Sequence, residues 1–183
     1  MRPGAVCRPA CNAGWDRRSH SSRTRGTPMT TLEQRLQRLE DESAIRALVA
    51  RFADTCIRAD HDGFKALWTD DGIWEIGAPF NLRRDGIEAI AALLHQLRDE
   101  RNFFTQLVPT GVIVIEGDRA AARWPVRELA TGPEDHYYDN VAMYSDTFVR
   151  TASGWRFSSR SYTYLWLNTE PFGGQSFGTP QLP

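Results

Sequence analysis

The 183-residue chain reads as an α+β domain, with helices first and a long, curved antiparallel sheet after them. Two changes of pattern predict this. Up to about residue 100, apolar residues recur at three- and four-residue spacing, as on one face of a helix; from residue 103 they alternate, as on one face of a strand. Glycine-bearing turns then separate the alternating stretches, and no internal repeat is visible.

Thr30 and Glu33 have the spacing of a capping box at the start of a short helix carrying Leu32, Leu36 and Leu39. A second helix follows, with Ile45, Leu48, Val49, Phe52, Cys56 and Ile57 on one side and Arg46, Arg51 and Asp54 on the other. Asp60-His61-Asp62-Gly63 breaks it. Phe64, Leu67 and Trp68 fit one more short helix, closed by Thr69-Asp70-Asp71-Gly72, and Ile73-Trp74-Glu75-Ile76 reads as a short strand. Asp85, with Glu88 three residues on, is placed to cap a helix whose buried stripe is Ile87, Ile90, Leu93, Leu94 and Leu97. Val112-Ile113-Val114-Ile115 is β-branched throughout and runs into the turn Glu116-Gly117-Asp118, after which residues 120–129 return. Gly132-Pro133-Glu134-Asp135 is a second turn, with His136 and Tyr137 beside it. Residues 138–150 are a strand, Ala152-Ser153-Gly154 a third turn, and residues 155–167 a last long strand. A sheet covered by helices on one side curls around them and bounds a hollow, the usual kind of place for a small-molecule site.

Hydrophobic residues are 41% and charged residues 25%, the balance of a globular chain rather than a disordered one. The net charge of −1 gives no field of one sign to attract nucleic acid or a membrane surface. It hides an asymmetry, because residues 1–28 carry six arginines and one acid among Gly, Pro and Ser. That stretch has no apolar core of a secretory signal and reads as a disordered extension. The expected domain covers residues 29–168, with residues 169–183 a tail of loop composition. Three cysteines make no disulfide framework, and the cytoplasm is the expected compartment. No metal-ligand spacing, phosphate-cradling Gly loop or Ser/His/Asp order is visible, so neither metal nor organic cofactor is expected.

The order helix, helix, strand, helix, long meander resembles the SnoaL-like branch of the nuclear transport factor 2-like superfamily. The likeness is carried by the stretch from Leu39-Glu40-Asp41-Glu42 to Ile45-Arg46-Ala47-Leu48 and by Leu67-Trp68-Thr69-Asp70-Asp71-Gly72. Gly117-Asp118-Arg119-Ala120, Arg123-Trp124-Pro125-Val126-Arg127-Glu128 and Gly154-Trp155-Arg156-Phe157 complete it. The resemblance implies a cone of sheet with helices in its concave face. Dehydratase-like members place a Tyr and an Asp five residues apart on the helix that here runs from Ile45, a His on the first long strand and often an acid on the next. Those positions fall at Phe52, Ile57, Thr105 or Gln106, and Glu128, so only the acid is kept.

Glu128 is therefore the sharpest candidate. On a two-residue period it points where Trp124 and Val126 point, and an unpaired carboxylate there has its pKa raised. The alternative is a structural salt bridge to Arg123, Arg127 or Arg160. Gln106, Tyr144 and Tyr162 are candidates to hold substrate oxygens, against an exposed strand position for Gln106 and plain packing for the tyrosines. Phe52, Ile57, Trp68, Trp74 and Trp124 are candidate walls. Mid-strand Asp146 needs a partner, and Arg160 is the natural one.

The leading expectation is a cofactor-independent lyase or isomerase (a dehydratase, isomerase or cyclase) acting by proton transfer on a hydrophobic oxygenated molecule such as a steroid, terpenoid or polyketide. A non-catalytic small-molecule binding protein is a second reading, and a small structural subunit like that of ring-hydroxylating oxygenases a third. The outer face of such a sheet favours a homo-oligomer, dimer or trimer.

Overall fold

The computed structural model describes residues 31–133, 137–175 and 177. The Arg-rich extension and the turn residues 134–136 lie outside them.

One helix, not two, opens the domain. Helix α1 spans Leu32–Arg58 without a break. Its capping box is Thr31 with Gln34, one residue later than the Thr30–Glu33 pair of the same spacing: the Thr31 hydroxyl accepts from the Gln34 N–H, and Gln34 Oε1 accepts from the Thr31 N–H. The apparent boundary near residue 40 is a change of surroundings. Leu32, Leu36 and Leu39 stay exposed, whereas Ile45, Leu48, Val49 and Phe52 are buried. At the junction Asp41, also buried, accepts two hydrogen bonds from Arg150, at 2.7 and 2.6 Å, and one from the Trp155 indole at 3.1 Å.

Ala59, in the left-handed region, ends α1, and the Asp60 side chain caps the short helix α2, His61–Lys65. The helix expected to continue through Trp68 stops there. The Leu67 carbonyl accepts from the Phe157 N–H at 2.9 Å, and Trp68 already pairs with Phe157 as the first residue of β1, Trp68–Ile76. Strand β2, Leu82–Asp85, folds back on β1 and was not foreseen. It claims Asp85, which bonds Arg83 rather than a helix end. Helix α3, Ile87–Arg98, is capped instead by Gly86, whose φ of 85° suits glycine. The alternating stretches form β3 (Phe103–Leu107), β4 (Val112–Glu116), β5 (Arg119–Thr131), β6 (Tyr137–Thr151) and β7 (Gly154–Asn168). Tyr138 is thus a strand residue, inside the pairing with β5.

The sheet runs β2-β1-β7-β6-β5-β3, with β4 also paired to β5. The expected α+β class is the one the chain adopts, with one difference: β1 and β7 run parallel, so the sheet is mixed. Gly111 enters β4 so close to β5 that a Cβ there would lie 2.1 Å from the Arg123 carbonyl oxygen.

Phe52 is the centre of the core. Its fully buried ring meets Phe64 at 5.2 Å and the rings of Trp68, Trp74, Tyr144 and Phe157 at 5.7–6.2 Å. Behind it lies a fully buried ion pair, in which Arg160 Nε and Nη2 donate to the two Asp146 oxygens at 2.8 and 2.7 Å. The guanidinium sits 3.7 Å from the Tyr144 ring centre and 4.0 Å from that of Phe52, and both contacts offset the loss of hydration.

Candidate active site

The register of four strands assembles one polar cluster. Gln106 of β3 lies opposite Glu128 of β5, and on the other side of β5 Glu128 faces Asn140 while Ala130 faces Tyr138. Tyr144 in turn faces Tyr162 of β7. Alternate residues share a face, so these side chains and Tyr164 turn together toward the helices. There they meet Phe52 and Cys56 of α1, Trp74 and Ile76 of β1, and Leu94 and Leu97 of α3 around a cavity of about 110 Å³. Phe80, Leu82, Arg98, Arg101 and Phe104 also line it; Phe80 is 49% exposed and marks the mouth.

Glu128 has no direct ion pair among the described residues, although Arg101 lines the same cavity. Arg160 is taken by Asp146, Arg127 by Asp139 at 3.2 Å, and Arg123 is exposed on the opposite face of β5. Burial pushes the Glu128 carboxyl up to about 7, although hydrogen bonds from Gln106 and Tyr138 and the charge of Arg101 pull the other way. Gln106 Nε2 donates to Glu128 Oε2 at 2.5 Å and to the Tyr144 hydroxyl at 2.8 Å. The Tyr144 phenol accepts that bond and keeps its own proton for another oxygen. The Tyr138 and Tyr164 hydroxyls are 2.5 Å apart. Burial holds all four tyrosines well above the ordinary phenol range, so they remain protonated donors. Tyr162, however, donates to Asn140 Oδ1 and has only acceptor capacity left for a ligand. Two lining residues keep a buried polar atom without a protein partner, namely Gln106 Oε1 and Trp74 Nε1.

Of the residues singled out from sequence, Glu128, Gln106, Tyr144, Tyr162, Phe52 and Trp74 come together here. Ile57, Trp68 and Trp124 do not line the cavity. Phe52 and Cys56 are four residues apart and share a helix face, which puts Ile57 one step round the helix; its carbonyl accepts from Arg98 instead. Trp68 is buried in the aromatic cluster around Phe52, and Trp124 lies further along β5 against Gly111. Gln106, not Thr105, occupies the lining position. Tyr138, Tyr164, Arg98, Arg101 and Phe104 are lining residues that sequence reasoning missed. The signal for Tyr138 was its two-residue period with Asn140, Ala142 and Tyr144. Arg98 is largely spent on structure, donating to the carbonyls of Cys56 and Ile57 at the end of α1 and to that of Arg101 just beyond α3.

Helices seated against a curled sheet, with one tyrosine-lined apolar cavity between them, define a cone of the nuclear transport factor 2-like class. Within it, the chain belongs to the SnoaL-like domain family, which matches residues 37–161. No curated protein matches the chain. Among solved structures, it is similar to an NTF2-like protein with a cystatin-like fold from Novosphingobium aromaticivorans, at 27% identity and TM-score 0.63 over 75% of this chain and 92% of that one. It is also similar to hexachlorocyclohexane dehydrochlorinase LinA-type3 from Novosphingobium barchaimii, at 19% identity and TM-score 0.68 over 80% and 99%. A provisional scytalone dehydratase from N. aromaticivorans shares the fold at 14% identity and TM-score 0.68 over 76% and 93%.

Proposed function

We propose that this domain is a proton-transfer catalyst of the lyase or isomerase type, acting without a redox step on a hydrophobic, oxygenated small molecule. The observation that carries the reading is Glu128: a carboxyl buried among apolar, amide and phenolic groups without a direct ion pair, pushed up by burial to about 7 against the pull of Arg101 across the cavity. Such a group is about half ionised at neutral pH, accepts a proton from carbon more readily than free Glu, and returns it as an acid. In the proposed cycle Glu128 takes a proton from the carbon beside a carbonyl. The Tyr144 phenol, whose proton is uncommitted, donates to the oxygen on which charge develops. The protonated Glu128 then delivers the proton to a second carbon, an isomerisation, or to a departing hydroxyl, a dehydration. The orphaned Gln106 Oε1 and Trp74 Nε1 suit a ligand carrying both a donor and an acceptor. A volume of about 110 Å³ is small beside the ~300–1,000 Å³ of drug-sized sites and favours a one- or two-ring substrate over a full steroid.

The test is product analysis on cyclic hydroxyketones and polyketide fragments. Glu128→Gln is expected to lower kcat by roughly 10²–10⁴ while leaving ligand binding within a few-fold. Unchanged turnover would remove the proposal. A binding protein without catalysis is the second reading, favoured by Phe52 and Cys56, which leave the α1 wall of the cavity without a base. Ligand-induced thermal stabilisation with no product at any pH would support it.

A further inference from the structure

The sequence shows no metal-ligand spacing, yet the fold gathers a set of donors outside the cavity lining. His61 opens α2, His95 lies in the last turn of α3, and Asp99 follows one turn later. The two imidazoles stack with their centres 3.5 Å apart. His61 Nε2 is 3.2 Å from Asp99 Oδ1, and His95 Nδ1 is 2.9 Å from Asp99 Oδ2. One ligand atom from each residue lies within 4.8 Å of the others. Thirty-three residues of sequence between the two histidines hid the cluster; only the packing of α2 on α3 closes it.

We propose that His61, His95 and Asp99 bind one divalent transition-metal ion, zinc by preference, at a surface site independent of the cavity. Two donors each about 2.1 Å from a tetrahedral ion stand about 3.4 Å apart; the His61–Asp99 and His95–Asp99 separations are near this but run to the two different carboxylate oxygens, so the Asp99 carboxyl must turn to present one oxygen to both. Two imidazoles and one carboxylate are the donor set of zinc, copper, nickel and cobalt, not of calcium or magnesium. One ion would neutralise Asp99 and serve a nitrogen of each ring. The rings are only 14° from parallel, so sharing an ion requires them to splay; His95 and Asp99, 51% and 50% exposed, have the room. The fourth position is left for water, and the ion would tie the start of α2 to the end of α3.

The test is calorimetric titration of the untagged full chain with Zn²⁺, with Co²⁺ absorption reporting the geometry. The expected result is saturable binding of one equivalent, a raised melting temperature, and the intense visible bands of four-coordinate Co²⁺. His95→Asn and Asp99→Asn each abolish these effects while melting, metal-free, as the parent does. Should either variant lose stability without metal, His61→Asn provides the same reading at the other helix. Absence of saturable binding by the parent up to millimolar Zn²⁺ overturns the proposal. So does one-equivalent binding that survives these substitutions, which would assign the ion elsewhere, for example to Cys7 and Cys11.

Discussion

Glu128 owes its raised pKa to burial on the inner face of β5 without a direct ion pair. Its face follows from the strand period, and so does its burial. Its lack of an ion pair to Arg160 or Arg127 does not, because that depends on Asp146 and Asp139 having claimed them first. The consequences are two. As a base, Glu128 must be ionised, so kcat/KM should rise with pH on a limb centred near 7 and lose that limb in Glu128→Gln. As a buried acid, it binds its proton more tightly folded than unfolded. Its contribution to stability is therefore complete below the ordinary value of 4.5 and is lost as pH rises through about 7, a difference of about 3 kcal/mol at about 1.4 kcal/mol per unit. Glu128→Gln should accordingly melt higher than the parent at pH 8 and close to it at pH 4.5; a lower melting temperature at pH 8 would contradict the assigned environment.

Elements were legible where one periodicity ran long enough to decide the matter. Strands β4 to β7 and helix α3 fall within a residue or two of their expected positions. The misreadings share a cause, that a partner distant in sequence overrode a local cue. Trp68 joins a strand because Phe157 reaches it; Asp85 leaves a helix cap because β2 pairs with β1. α1 continues across residue 40 because Asp41 has Arg150 and Trp155 to receive it. Asp41 thereby fastens the middle of α1 to the β6–β7 end of the sheet, and the Arg150 hydrogen bonds hold its carboxyl below the usual range. Asp41→Asn should cost about 1.5–3 kcal/mol in denaturant unfolding, the range for a hydrogen bond to a charged group, with the cavity residues undisturbed. A cost below about 0.5 kcal/mol would show that α1 is held by its apolar stripe alone.

For the molecule as a whole, the concave side was the easier one to foresee, since apolar alternation declares it. The convex side carries Leu107, Val141 and Trp166, all exposed, and the strand register sets them in one row across β3, β6 and β7 with the Arg127 stem between. We expect this row to be covered by a second copy in solution. Trp166→Lys should then move the sedimentation coefficient toward the monomer without lowering the melting temperature of the fold, and a parent already monomeric at high concentration would count against the expectation. No described helix is long and apolar enough to cross a membrane. The parallel pairing of β1 with β7 has a bearing on how such a chain is made. During synthesis α1, α2 and the β1–β2 hairpin leave the ribosome some eighty residues before the strand they must lie against. Until β7 emerges, the aromatic residues that will wall the cavity have no lid over them, so the nascent chain is at its most adhesive just before its last strand arrives.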